Sequence, residues 1–397
     1  MKVAFLTAGG IAPCLSSSIV SIINQYNSTG NNFEFIGYLN GYKGLLLGNS
    51  ITIPTSISDK KNDIFSFGGS FLGNSRVKLS NIEDCVKNNY ILKNQLPVEV
   101  AANQLIKDNI NILHTIGGDD TNTTAADLVS YLKKNNYDLT VVGLPKTIDN
   151  DIYPLSQTLG ACTAAEQTAL FFKNIVNENT TSSRQLIIHE VMGRNCGWLT
   201  AYSSYLYMNN LDSMVFFPEI NLVKQKWDIH AIYIPEREFD LSAESDRLIK
   251  IMDKYDCVNI FLSEGAGLDN IVKDMKSNNQ DIPIDAFGHI RLDEINPGKW
   301  YADFFRNKLK CDKVLVQKSG YFSRSSAPNN KDLDLINNHA SLAVKSAINK
   351  ISGVIGMDDN TNKLSCIKFD RIKGGKPFNI NLDWFSSLMQ KIENANY

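Results

Sequence analysis

The chain has 397 residues, room for two or more domains of ordinary size. Its 40 Lys and Arg against 42 Asp and Glu leave a net charge of −2, which argues against a nucleic-acid binder yet permits local basic pockets. Seven scattered Cys with no CxxC or Cys/His cluster predict reduced thiols and no zinc site, and no apolar run approaches the roughly 20 residues of a bilayer span. The expected location is the cytoplasm, away from membranes.

Lys2–Thr7 is predicted as a strand; Gly9, Gly10 and Pro13 end its apolar run too early for a signal peptide. Leu15–Tyr26 follows as a helix, Phe33–Tyr38 and Ile110–Ile116 as strands, and Thr123–Lys134 as a helix. Leu139–Leu144 is a strand, Ala161–Asn177 a helix, Gln185–Val191 a strand and Trp198–Tyr207 a helix. This βαβ rhythm predicts an α/β fold with mostly parallel, doubly wound sheets. Beyond residue 210 the rhythm loosens. Met214–Phe217 and Ala231–Ile234 are predicted as short strands, Ala243–Tyr255 as a helix and Val258–Ser263 as a buried strand. Asp281–Trp300 reads as a surface insertion. Lys313–Gln317 is a strand, Leu333–Lys350 a helix, the tail from Lys363 a strand, and Trp384–Ile392 a final helix.

The segment Gly143 to Asp151, Gly-Leu-Pro-Lys-Thr-Ile-Asp-Asn-Asp, leaves a buried strand as a loop. Ligands of open α/β sheets bind at such strand ends. One turn there can supply a carboxylate base, a metal-facing acid and a phosphate-facing Lys; the same residues also make an ordinary solvated turn. Gly9-Gly10 lets backbone amides approach an anion, or simply turns the chain. Ile116-Gly117-Gly118-Asp119-Asp120-Thr121 repeats that architecture; its acids suit Mg²⁺ or cap the next helix. Arg194 after Met192-Gly193 can clamp a phosphate, and Glu264 can accept from sugar hydroxyls or cap a turn. Gly320–Arg324, with Lys318 before it, and the glycine loop Gly68–Arg76 bring further cations. His114 and His189 lie inside apolar strands and read as structural. Phosphates, Mg²⁺ and one carboxylate base are the parts of phosphoryl transfer to a hydroxyl.

With these motifs in order, the sequence resembles the phosphofructokinase family, and most closely its pyrophosphate-dependent branch. The resemblance runs from Gly9-Gly10 to Arg324 and into the C-terminal helix. It implies two domains with the active site in the cleft between them, and reversible phosphoryl transfer from diphosphate to the 1-hydroxyl of fructose 6-phosphate with Mg²⁺. Residues 1–155 would form the donor domain with part of the C-terminal region. Residues 156–340 would form the fructose 6-phosphate domain, and 341–397 would pack back. Gly10 would meet the diphosphate, Asp119 the Mg²⁺, and Arg76 the transferring phosphoryl group. Thr147, Ile148 and Asp149 would form the sugar-phosphate loop, with Asp149 the proton acceptor. Met192, Gly193, Arg194 and Glu264 would contact fructose 6-phosphate, as would Tyr321, Phe322, Ser323 and Arg324, with Tyr321 replacing the usual His.

Asp120 and Lys146 stand where relatives using ATP have glycine. Asp120 would repel an ATP α-phosphate, and Lys146 would bind the compact diphosphate. The competing readings are an ATP-dependent enzyme and a non-catalytic sugar-phosphate-binding subunit. Phe287–Arg291 resembles a sugar-phosphate stretch of relatives using ATP, but Gly320–Arg324 fits better, leaving His289 a decoy. Cys14 replaces a glycine of many relatives, and Arg184 is one residue out of register for a partner-subunit arginine. A homo-oligomer is expected, a dimer before a tetramer, without allosteric control.

Overall fold

The computed structural model describes residues 1–283 and 291–394; His289 and most of the decoy stretch lie outside them. The strands in chain order are β1 (Lys2–Thr7), β2 (Glu34–Tyr38), β3 (Ser50–Ile53), β4 (Ile112–Gly117), β5 (Thr140–Pro145), β6 (Gln185–Val191), β7 (Ala231–Tyr233), β8 (Cys257–Ser263), β9 (Lys313–Lys318), β10 (Gly353–Asp358) and β11 (Lys363–Ile367). They form a seven-stranded sheet, β11-β10-β5-β4-β1-β2-β3, and a four-stranded sheet, β7-β8-β6-β9. Every pairing is parallel except those of the edge strands β3 and β11.

The chain divides into two compact units. The first comprises Met1–Ala164 and Arg324–Lys376, the second Ala165–Ser323 and Pro377–Tyr397. The sequence predicts borders at 155 and 340, with 341–397 packing back.

Both sheets are apolar on both faces, as parallel sheets covered by helices must be. In the first unit Ala4, Leu6 and Leu113 face Ala101, Leu105, Ala125 and Leu128 of the helices Pro97–Lys107 and Asp119–Lys134. Phe5, Phe35 and His114 point the other way, stacking near Tyr26 of the helix Leu15–Ser28. In the second unit Leu186 and Ile188 pack on the helices Leu241–Tyr255 and Pro297–Leu309. His189 and Phe261 pack on Phe172 and Tyr207 on the opposite face. Each such fully buried Leu or Phe contributes roughly 1.5–3 kcal/mol.

The sequence misreads several places. Met214–Phe217 is no strand; Val215 is 74% and Phe217 45% exposed, and Phe217 makes only an isolated bridge to Leu222. The end of the expected surface insertion, Pro297-Gly298, is buried and opens the helix Pro297–Leu309. Strands β3 and β10 and the helix Pro97–Lys107 were not foreseen.

Candidate functional site

Strands β5, β4 and β1 are neighbours, so their C-terminal ends bring three loops to one edge of the sheet. The β1 loop carries Gly9 and Gly10, the β4 loop Asp119 and Asp120, and the β5 loop Lys146 to Asp151. The sheet hydrogen bonds continue into them: Ala8 N–H donates to Ile116 O at 3.0 Å and Lys146 N–H to Gly117 O at 2.8 Å.

Lys146 is only 5% exposed, and its ammonium donates to Gly10 O at 2.8 Å. Burial pushes its pKa down to about 8, with Arg324 and Arg76 adding to the fall while Cys14 and Asp149 oppose it. Three cations therefore converge on the glycine turn. Arg324 Nε donates to Ile11 O at 2.9 Å, and its guanidinium lies so close to Gly10 that a Cβ there would sit 1.7 Å from Nη2. A side chain at position 10 would push that guanidinium aside. The sequence assigns Arg324 to the sugar phosphate; in the fold its guanidinium also lies beside the glycine turn. Arg76 is exposed, next to Ser75, whose carbonyl accepts from Gly9 N–H at 2.9 Å.

The acids lie alongside. Asp119 and Asp120 open the helix Asp119–Lys134, where carboxylates suit the helix dipole. Gly118, not Asp120 or Thr121, is the N-cap. Asp120 pairs with Lys78 at 2.7 Å, so its charge is partly offset. The two flank a cavity of about 290 Å³ lined also by Gly9, Tyr42, Arg76 and Thr124. Asp149 N–H donates to Thr147 Oγ1 at 3.1 Å. Ile148 is buried, 5% exposed, and Asn150 fixes the loop with φ +56°. Its Oδ1 accepts from Thr158 N–H at 2.8 Å and its Nδ2 donates to Ser156 O at 3.1 Å. Burial and the charge of Asp119 raise the Asp151 carboxyl, against a hydrogen bond from Thr147 and the charge of Lys146.

The other predicted contacts belong to the second unit, at the ends of the adjacent strands β6, β8 and β9. Met192, Gly193 and Arg194 follow β6, with Gly193 at φ +129° and its carbonyl accepting from Ser263 Oγ. Glu264 N–H donates to Val191 O at 3.0 Å, and Glu264 Oε1 accepts from Gly193 N–H at 3.4 Å. Burial raises the Glu264 carboxyl and Glu190 adds to it; the Gly193 amide, Lys318 and Arg194 pull it down. Ser323 is buried, 1% exposed, and shares a 2.7 Å hydrogen bond with Thr168. Tyr321 and Phe322 are 78% and 46% exposed.

Other residues around the site take their partners from the fold. Glu190, 6% exposed, pairs with Lys318 at 2.7 Å and accepts from Gly298 N–H at 3.0 Å. Their register in β6 and β9 was the available signal. Asp332 is fully buried and accepts from Gly160 N–H and Thr163 N–H at 3.1 and 2.7 Å, capping a helix far away in sequence. Arg184 pairs with Asp253 at 2.9 Å and donates to Leu309 and Lys310 carbonyls. Cys14 is buried at the start of the helix Leu15–Ser28, and burial pushes its thiol far up.

The pyrophosphate–fructose 6-phosphate 1-phosphotransferase of Methylomonas methanica is 55% identical over 392 residues, covering 98% of this chain and 96% of its own. That of Propionibacterium freudenreichii subsp. shermanii is 52% identical over 392 residues, covering 98% and 97%. The crystal structure of a pyrophosphate-dependent phosphofructokinase from Marinobacter aquaeolei shares the fold, with a TM-score of 0.70 at 19% identity over 98% of this chain and 91% of that one. The family model described as Phosphofructokinase matches residues 2–347, which takes in all three loops of the first sheet and every strand end of the second. The chain belongs to the phosphofructokinase family.

Proposed function

We propose that the protein transfers a phosphoryl group reversibly from diphosphate to the 1-hydroxyl of fructose 6-phosphate, giving fructose 1,6-bisphosphate and phosphate. The observation that carries this is the Lys146 ammonium, buried against the Gly10 carbonyl, three residues before Asp149. Near-full-length relatives above 50% identity named for this reaction support it.

Lys146, Arg76 and Arg324 neutralise the diphosphate as charge shifts to the leaving phosphate. Gly10 lets it approach the backbone. Asp149 accepts the proton of the attacking hydroxyl. Met192, Gly193, Arg194, Glu264 and the segment Tyr321–Ser323 bind and orient the sugar phosphate. Asp120, with Lys78, disfavours a longer polyphosphate at the glycine turn. Asp119 and Asp151 offer oxygen ligands only, and the Asp151 carboxyl is raised first by burial and then by the charge of Asp119. That donor set fits Mg²⁺, which takes one or two carboxylates and completes its shell with substrate phosphates and water. Bound there, Mg²⁺ supplies charge neutralisation.

No helix among the described residues is long and apolar enough to cross a membrane, in keeping with a cytoplasmic enzyme. We expect a homo-oligomer, a dimer before a tetramer, which sedimentation tests. The decisive assay compares donors with fructose 6-phosphate and Mg²⁺. Product should form rapidly with diphosphate and barely with ATP; equal rates would overturn the donor assignment, and no product with either the function.

A further inference from the structure

The turn Lys373-Gly374-Gly375-Lys376 lies beyond residue 347, where the family match ends. It belongs to the first unit and is anchored on both sides. Lys373 N–H donates to Tyr153 O at 3.1 Å, and Tyr153 N–H to Lys373 O at 2.7 Å. At the far end Lys376 N–H donates to Asp151 O at 2.9 Å, while Lys376 Nζ bonds Leu155 O and Asp359, each at 2.6 Å. Just upstream, Arg371 grips the buried Asp358 with two hydrogen bonds of 2.7 and 3.0 Å.

Between these anchors the glycines pass over Asp119. A Cβ on Gly374 would lie 1.9 Å from Asp119 Oδ2 and 2.6 Å from Cγ, so the turn touches the carboxylate and admits no side chain. Gly375 differs: its φ is +74° and nothing lies within 4 Å of a Cβ there. Gly375 answers to backbone conformation, Gly374 to the acid beneath it. Among the described residues the Asp119 carboxylate accepts no hydrogen bond and forms no ion pair. A partly buried carboxylate is normally held by donors. This one is held by contact instead, with no protein donor on its oxygens, and the same turn binds the backbone of the second acid, Asp151.

We propose that Gly374 is a positioning residue of the donor site. It sets the Asp119 carboxylate by contact, so that the acid faces a divalent cation without spending its lone pairs on a protein donor. The turn also fixes the spacing of Asp119 and Asp151. This rests on Asp119 being the metal acid.

The test uses the full-length protein and Mn²⁺ as probe, its binding followed by the loss of the free-ion EPR signal with inorganic diphosphate present. Gly374→Ala is expected to weaken Mn²⁺ binding by about 10-fold or more, as loss of a residue orienting a metal ligand does. The half-saturating Mg²⁺ concentration should rise in parallel, with fructose 6-phosphate binding retained. Gly375→Asn, whose side chain tolerates positive φ, should keep the metal affinity. Asp119→Asn separates the two claims: if it leaves Mn²⁺ binding intact, the metal assignment fails. If Asp119→Asn loses binding while Gly374→Ala keeps it, the role of Gly374 is overturned. Should Gly374→Ala not fold, Lys376→Met loosens the turn at a distance from Asp119. A rise in the Mn²⁺ dissociation constant would then support the proposal and an unchanged value would overturn it.

Discussion

The Lys146 ammonium and the Gly10 carbonyl meet at 2.8 Å, joining the ends of β5 and β1 across the intervening β4. A carbonyl satisfies a buried ammonium without neutralising it. The cation keeps its charge for an anionic ligand, and burial makes that charge easier to lose. With its pKa down at about 8, Lys146 should lose its proton as pH rises through that value in the free enzyme. We expect kcat/KM for diphosphate to fall above pH 8, and Lys146→Arg to move that limb to higher pH, since an arginine stays charged. Lys146→Met should cost about 10²–10³ in kcat. An alkaline limb unchanged in Lys146→Arg would assign it elsewhere.

Asp149 should separate binding from chemistry. Asp149→Ala is expected to lower kcat by about 10²–10⁴, the usual range for a general base. Calorimetry should still detect fructose 6-phosphate binding. Substantial turnover would remove Asp149 as the base.

Asp120 and Lys78 form an exposed pair, 62% and 49% by side chain, so breaking it should cost stability only about 0–1 kcal/mol. Its effect belongs to donor choice. Asp120→Gly should give measurable turnover with ATP and a raised KM for diphosphate. A variant as strictly diphosphate-dependent as the parent would place the discrimination in Lys146 or in the shape of the neighbouring cavity.

His189 makes a prediction about stability. It is fully buried, stacks on Phe172, and neither ring nitrogen has a hydrogen-bond partner. Burial pushes its pKa down to about 3, and that of His114 to about 4. Both are neutral when folded and charge readily when unfolded, below pH 6.5. The unfolded state then binds more protons, so stability is lost as pH falls from about 6.5 toward the folded values. Tm should drop between pH 7 and 5. His189→Phe removes an unsatisfied polar ring at similar volume; it should hold or raise Tm at pH 7 and flatten the acid slope. A lower Tm with the slope unchanged would contradict this.

The half of the site built from strand ends was legible because the chemistry lies beside the element that positions it. Gly9-Gly10, Asp119-Asp120 and Lys146 to Asp149 each follow an apolar run directly, and period and position identify them together. What escaped was brought in by tertiary folding. Arg324 reaches the Ile11 carbonyl across 313 residues. Gly374 reaches Asp119 across most of the chain, and Lys78 reaches Asp120 from a loop whose sequence names no partner. No local pattern encodes such meetings. The apolar run Met214–Phe217 misled for the opposite reason: hydrophobic residues left on the surface look like a strand when only order is read. β10 hid behind its two glycines, which local propensity counts against a strand although its neighbours β5 and β11 hold it.

The division of the chain has a consequence for its synthesis. Residues 1–164 emerge from the ribosome with β5 as an open edge, because its outer neighbour β10 is made only after the second sheet is complete. Residues Thr140–Pro145 are wholly buried in the finished protein, so during translation this bare edge offers unpaired backbone and apolar side chains to any passing strand. The first unit cannot close until Lys376 has been added, and the second still awaits the helix Asp383–Glu393. Both units therefore mature only after residues beyond 376 have been made, and a chain cut short even at residue 350 would be a substrate for chaperones and proteases rather than a smaller enzyme.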